Sequence, residues 1–509
     1  MPTHSEATRL NLEYYRKQAK SLLKGVKAGD SEAAERLVRF VPRFSGGQFA
    51  GVALHDAQLA VAREQGFASW PRFKTFLEQS AMDFPRLVAA FVDAALEDFR
   101  RAEEMLKSHP ELTKAGLHAA LVLGDTDRVE QALGEDPELT RRKGGPREWE
   151  PLLYVCFSRF ARRGSQRADR LAATARVLLS AGADPNAWYE SEEWPDNPFP
   201  CLYGSTGLNN NRALALALLE AGANPNDRES LYHSTEHADL VCFRLLLEHG
   251  ASPRGTNSLK HMLDREDLEG VKLLIAAGAD PNETNERGET ALHWAIWRGR
   301  SARVIEALLD AGAAMDAKRN DGRTAYALAV QSGQRSVAAL LEARGAHTGL
   351  SALDQFMGAC ESAGPTELEK LLAEAPRIEP SPESERLLTE LAQSHRTAAV
   401  RALLAAGVPV DARGSVGETA LHWACWKGFG DMAKVLLDHG ASLAAEDDQY
   451  HGTPPGWFGH GARNCGEEGG DYAETARVLI AAGAKIASAD MPTGRPEVDA
   501  VLREHRLIQ

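Results

Sequence analysis

From residue 85 to the C-terminus, pairs of adjacent apolar residues recur through otherwise polar sequence. They begin at Met105, Ala132, Leu178, Leu218, Leu246, Leu274, Leu308, Leu340, Leu371, Leu403, Leu436 and Leu479. The steps between them are 27, 46, 40, 28, 28, 34, 32, 31, 32, 33 and 43 residues. A period near 33 residues with interruptions predicts a row of repeated supersecondary units rather than one core. Two stretches are almost identical: Gly288-Glu-Thr-Ala-Leu-His-Trp-Ala-Ile-Trp-Arg-Gly299 and Gly417-Glu-Thr-Ala-Leu-His-Trp-Ala-Cys-Trp-Lys-Gly428. Thr290 and Thr419 suit the N-cap of a short helix, and Gly299 and Gly428 stand where that helix must stop. The apolar pair then falls in a second helix, closed by Gly312 or Gly440. A two-helix unit cannot bury its own apolar face, so the units must stack.

Residues 1–80 lack this pattern. Leu12, Tyr15, Ala19, Leu22, Leu23 and Val26 follow a helical period, and Asp30 and Ser31 are start signals for a second helix over 33–40. Gly46 and Gly47 form a link. A third helix over 56–65 is stopped by Gly66, and Ser69 caps a fourth over 70–77.

Thr-Ala-Leu-His-Trp-Ala stands where the ankyrin repeat has Thr-Pro-Leu-His-x-Ala, and both stretches resemble that repeat. The resemblance implies an all-α, ankyrin-type helical solenoid, with helix–turn–helix repeats joined by short β-hairpin loops. It also implies that His293 and His422 are structural, bonding backbone to hold the turn beside Thr290 and Thr419. The run Ala57-Gln-Leu-x-x-Ala-Arg-Glu-x-Gly-Phe-x-Ser-Trp-Pro-x-Phe-Lys74 resembles a helical leader found ahead of ankyrin arrays in bacterial proteins, which implies a bacterial source. The expected layout is a helical domain at 1–80, divergent helical hairpins at 81–143, the array at 144–488 and a C-terminal capping helix at 489–509.

At 509 residues the chain is too long for one compact globule but ordinary for a solenoid. Its formal charge of −14 disfavours nucleic acid and anionic membrane as partners. Residues 1–80 depart from this, with 12 Lys+Arg against 8 Asp+Glu. The segment 55–78 therefore has a second reading, as a DNA-reading helix-turn-helix with Arg63, Arg72 and Lys74 on phosphate. Trp70, Phe73, Phe76 and Leu77 at core-like spacing favour a cap over the first repeat instead. Six cysteines without a Cys-x-x-Cys pair predict a reducing compartment. No signal pattern or apolar run of membrane-spanning length is present, which predicts a cytoplasmic protein.

Departures from the period carry the functional expectation. The two steps of 28 mark short units over about 227–282 that lack the projecting hairpin. The long steps mark insertions at 143–170, 188–203 and 449–471, and solenoid insertions map to loops, often on the binding face. The first holds Trp149 and a basic run with Arg159, Arg162 and Arg163. The second packs Trp188, Tyr189, Trp194, Phe199 and Tyr203 among Glu190, Glu192, Glu193 and Asp196. These aromatics either anchor a partner or pack back over the short units. The third contains Tyr450 and Trp457. Trp294 and Trp423, on the first helices, are either packing residues or aromatics facing the concave groove.

His451, His460 and Cys465 raise a metal site, but their spacing fits no zinc pattern. The segment 453–461 also reads as a degenerate first helix, which explains these residues without a ligand. No phosphate-binding, metalloprotease or nucleophile-elbow motif occurs, so neither enzyme activity nor a cofactor is expected. The expected function is a protein-interaction scaffold that binds another protein or peptide through groove, hairpin tips and insertions. The alternatives are a nucleic-acid-associated regulator using the N-terminal segment, and a small-molecule or metal enzyme in the 449–471 insertion.

Overall fold

The computed structural model describes residues 11–49, 51–80, 82–191, 194–464, 470–486 and 493–505. The chain divides into two compact units, Met1–His249 and Gly250–Gln509.

The first unit opens with helices Leu12–Lys27, Ser31–Phe40, Leu54–Glu64 and Trp70–Ser80. Asn11 and Asp30 cap the first two, each accepting from a backbone N–H of the first turn. Their apolar faces meet in a separate core of Tyr15, Leu22, Leu37, Val61, Phe73 and Leu77, with Trp70 and Phe76 partly buried against it. Helix Trp70–Ser80 therefore turns its aromatics inward. Its basic residues are engaged within the unit: Arg72 pairs with Glu104 at 3.3 Å and Lys74 with Glu78 at 3.6 Å. Arg63 donates to the Phe40 carbonyl at 2.8 Å.

Helical hairpins follow. Phe84–Glu97 with Phe99–Ser108 and Gly116–Leu123 with Thr126–Glu135 are each closed by a 3-10 turn, Pro110–Lys114 and Pro137–Thr140. Proline at the start of each turn replaces the Gly-Ala stop used further on. Pro151–Phe157 with Ala168–Ser180, the bent segment 201–208 with Arg212–Glu220, and Ser230–Ser234 with Val241–Glu248 complete the unit. The 188–203 insertion, expected as a loop, holds the one strand pair among the described residues. Strand β1 (Trp188–Ser191) runs antiparallel to β2 (Trp194–Pro200), with Trp188 opposite Pro200 and Tyr189 opposite Phe199.

The second unit stacks seven hairpins, from Ser258–Asp264 with Leu268–Ala276 to Pro454–Asn464 with Tyr472–Ala481, and ends on Pro496–Glu504. That last helix buries Val498, Val501 and Leu502 and so covers the final hairpin's apolar face. The parts of the expected cap at 489–492 and 506–509 lie outside the described residues. The projecting hairpins between repeats reduce to isolated bridges at Lys318–Thr324 and Arg413–Thr419. Every one of the twelve apolar pairs lies in a second helix, so the repeat spacing does set the architecture.

The Thr-x-x-His motif works through its backbone. The Thr419 N–H donates to His422 Nδ1 at 3.0 Å, with the Thr419 hydroxyl 2.9 Å from the same nitrogen. The proton is therefore on Nε2, which donates to the Gly452 carbonyl of the next repeat at 3.0 Å. Thr290 and His293 repeat the first contact at 3.2 Å. Burial holds both histidines below the ordinary value of 6.5, so the folded chain keeps them neutral. The unfolded chain binds those protons first as pH falls, and stability declines below about pH 6.5. Urea midpoints are expected to drop between pH 7.5 and 5, with a shallower drop in His422→Gln. Asp431 and Asp447 titrate lower, so their loss belongs to a more acidic window.

Candidate functional site

Four half-buried or buried aromatics of the first unit form one continuous stack. Trp149 lies against Tyr189, ring centroids 4.2 Å apart and 28° from parallel. Tyr189 stacks on Phe199 at 5.4 Å, and Phe199 meets Tyr203 at 5.4 Å. Phe157 closes the base, edge-on to Tyr189 at 4.9 Å. The turn carrying Trp149 is tight: Gly144 donates to the Trp149 carbonyl at 3.1 Å, and the Tyr154 hydroxyl donates to the Gly144 carbonyl at 2.8 Å. Gly145 sits at φ +75°, where a Cβ would meet His118 at 2.4 Å, so this turn requires glycine. Burial pushes the Tyr203 hydroxyl up to about 12.

Strand alternation sends the remaining aromatics outward. Trp188 is 50% exposed and Trp194 62%. The two readings of the insertion thus apply to different residues: Tyr189, Phe199 and Tyr203 pack back on the repeats, while Trp188 and Trp194 face solvent. Of the nearby arginines, Arg159 donates to the Leu96 carbonyl at 3.1 Å, Arg163 pairs with Asp239, and Arg162 is exposed. Lys143, Glu148, Glu150 and Asp184 border the same place; the first three fall inside the expected 143–170 insertion, whereas Asp184 lies outside every expected insertion. A signal was present, because the turn at 143–149 and the insert at 188–200 occupy equivalent positions in consecutive repeats.

In the second unit the aromatics are largely taken up internally. The Trp294 indole donates to Asp264 at 2.8 Å, with Trp297 at 5.0 Å and the Arg298 guanidinium at 5.2 Å. Trp423 donates to Glu418 at 3.2 Å and meets Trp457 edge-on at 5.4 Å. Trp457 is buried and donates to Asp447 at 2.9 Å. Asp447 also accepts the N–H groups of Gln449, Tyr450 and Gly452, which fixes the turn and leaves Tyr450 70% exposed at its tip. His460 stacks on Trp426 at 4.9 Å. Among the described residues no group of three or more His, Cys, Asp or Glu is placed to hold a metal, and Cys465 lies outside them. No helix among them is long and apolar enough to cross a membrane.

Across two of these repeats the chain itself occupies the face formed by the first helices. Helix Pro382–Gln393 buries Leu387 through Ala392 without a break, which requires packing on more than one side. Its Glu390 accepts from Arg319 at 2.9 Å and from Arg287 at 3.0 Å. Arg319 is buried and also meets Glu289 at 3.1 Å and Asp321 at 3.3 Å. Trp297 Nε1, Arg319 Nε and Gln331 Oε1 have no protein partner. Their residues line a cavity of about 10 Å³, room for one water.

The repeat geometry and the family comparison agree. Residues 259–351 and 356–447 match the family model described as ankyrin repeats (3 copies), and this stretch is an ankyrin-repeat array. Solved structures with similarity include an ankyrin repeat domain from Acinetobacter baumannii AYE, 28% identical over 39% of this chain and 98% of that one, TM-score 0.33. Another is the ankyrin repeat domain of Bcl-3, a member of the IkappaB protein family, 23% identical over 46% of this chain and 94% of that one, TM-score 0.22. No curated protein matches the chain.

Proposed function

We propose that this protein is an interaction scaffold that holds a protein partner chiefly through the β1–β2 insert of its first unit. Ankyrin repeats are generic protein–protein interaction modules, and that general role carries over to the array. The observation that supports the finer reading is the pair Trp188 and Trp194, exposed on a hairpin whose opposite face is fastened by stacked rings. A fastened hairpin loses little conformational freedom on docking, and tryptophan is among the residues enriched at interface hot spots. Arg162 and Tyr450 are further exposed contacts of the scaffold.

Affinity capture with quantitative mass spectrometry tests this. Trp188→Ala and Trp194→Ala are each expected to cost about 2 kcal/mol of binding, so the double variant loses a defined set of proteins that wild type captures. Leu54→Ala, a change at an exposed position away from the insert, is expected to retain that set. Equal capture by wild type and the double variant overturns the reading.

A further inference from the structure

The insert and the turn before Pro151 enclose a cleft of about 400 Å³ walled by Trp149, Trp188 and Tyr189. Four carboxylates edge it: Glu148, Glu150, Asp184 and Glu190. Two cations also reach it, Lys143 and Arg147, but they are not equivalent. Arg147 donates to Asp93 at 2.6 Å and also pairs with Glu97, so its charge is already balanced. Lys143, with Arg141 as a second positive charge acting on Glu150 from beyond the lining, then faces four carboxylates, none of which enters an ion pair among the described residues. The crowding has a consequence at Glu150, whose carboxyl is raised by burial and then by the Asp184 charge. An added cation would relieve both carboxylates.

The walls suit the same ligand. The faces of tryptophan and tyrosine attract guanidinium and ammonium groups. Trp149 already has one such neighbour, the Arg147 guanidinium at 6.0 Å from its ring centre. Trp188, half exposed, offers a second ring with no such cover. A cleft of this size admits a long side chain together with the backbone on either side of it.

We propose that this cleft receives an arginine or lysine side chain from a basic segment of the partner polypeptide. Trp149 and Trp188 cover its stem, and Glu150, Asp184 and Glu190 meet its charge. The proposal rests on the insert being a partner-binding face, and it adds the sign and shape of what that face accepts.

The test uses the full chain and fluorescein-labelled Gly/Ser peptides identical except for two central residues, read by anisotropy. The arginine peptide is expected to bind, and citrulline, its uncharged isostere, to bind at least about tenfold more weakly. The glutamate version is expected not to bind. Affinity of the arginine peptide should fall with added salt. Asp184→Asn/Glu190→Gln and Trp188→Ala are each expected to weaken it by about tenfold or more, with circular dichroism unchanged. Equal binding of the arginine and citrulline peptides, or indifference to Asp184→Asn/Glu190→Gln, overturns the proposal. So does arginine amide binding as tightly as the peptide, which would make this a small-molecule site. Failure here is separable from failure of the scaffold reading. Loss of captured proteins in the double tryptophan variant without any arginine-peptide binding leaves the scaffold and removes only the cation.

Discussion

Replacing Arg319 by methionine is expected to destabilise the second unit by about 3–5 kcal/mol, the cost of removing one partner from a buried ionic cluster. The guanidinium is buried and meets Glu289, Asp321 and Glu390. Without it Asp321 retains Arg323 and Glu390 retains Arg287, while the buried Glu289 carboxylate is left with the Asn285 amide, 2.8 Å away. Glu390→Ala is expected to cost less, because Arg319 keeps two carboxylates. Urea unfolding followed by tryptophan fluorescence gives both values, and hydrogen exchange locates them. Amides of 382–393 should lose protection in Glu390→Ala while those of 258–276 keep theirs. A change under about 1 kcal/mol for Arg319→Met would mean that the cluster does not hold this helix in place.

The second large effect concerns helix Pro454–Asn464, which crosses Ala420–Lys427 at close range. A Cβ on Gly461 would lie 2.2 Å from the Trp426 carbonyl oxygen and 3.0 Å from its Cα. Those are backbone atoms and cannot swing aside. Gly461→Leu therefore pushes the two helices apart, and the penalty is expected at or above the upper end of the ~1–3 kcal/mol typical of overpacking. Gly456 provides the internal control on the same helix. A Cβ there meets only the Thr453 hydroxyl oxygen at 3.6 Å, so Gly456→Ala should be neutral or stabilise by up to about 1 kcal/mol through helix propensity. Limited proteolysis should cut near residue 448 in Gly461→Leu and spare Gly456→Ala. Similar digestion of the two variants would show that the helix crossing tolerates a side chain.

The repeat architecture was legible because stacking imposes a local rule. Leu274, Leu308, Leu403, Leu436 and Leu479 are all fully buried, as a second-helix core position demands. The rule slips where a neighbour changes. At the pair beginning with Leu340 the buried residue is Leu341, and helix Pro365–Ala373 has no fully buried residue, although Leu371 and Leu372 pack partly on the core. Trp457 has two readings in the sequence, as an aromatic of the third insertion and as part of the degenerate first helix over 453–461, and it sits in that first helix. In the insert, alternation between Trp188 and Tyr189 decides which ring faces solvent, and alternation acts only once a strand is recognised. Prolines at 195, 198 and 200 are unusual within strands, but a two-stranded hairpin tolerates them because both of its strands are edges. The Glu390 cluster left no local trace, since its partners stand 71 and 103 residues away in sequence.

That reach alters how the second unit should come apart. An array held only by contacts between adjacent repeats frays from its ends, one repeat at a time. Glu390 ties its own helix to turns two and three hairpins back, so none of the intervening repeats can melt without breaking the loop that spans them. The middle of the array is therefore expected to behave as a single cooperative block with raised contact order, slower to assemble than its regular neighbours and bounded on both sides by repeats that open first.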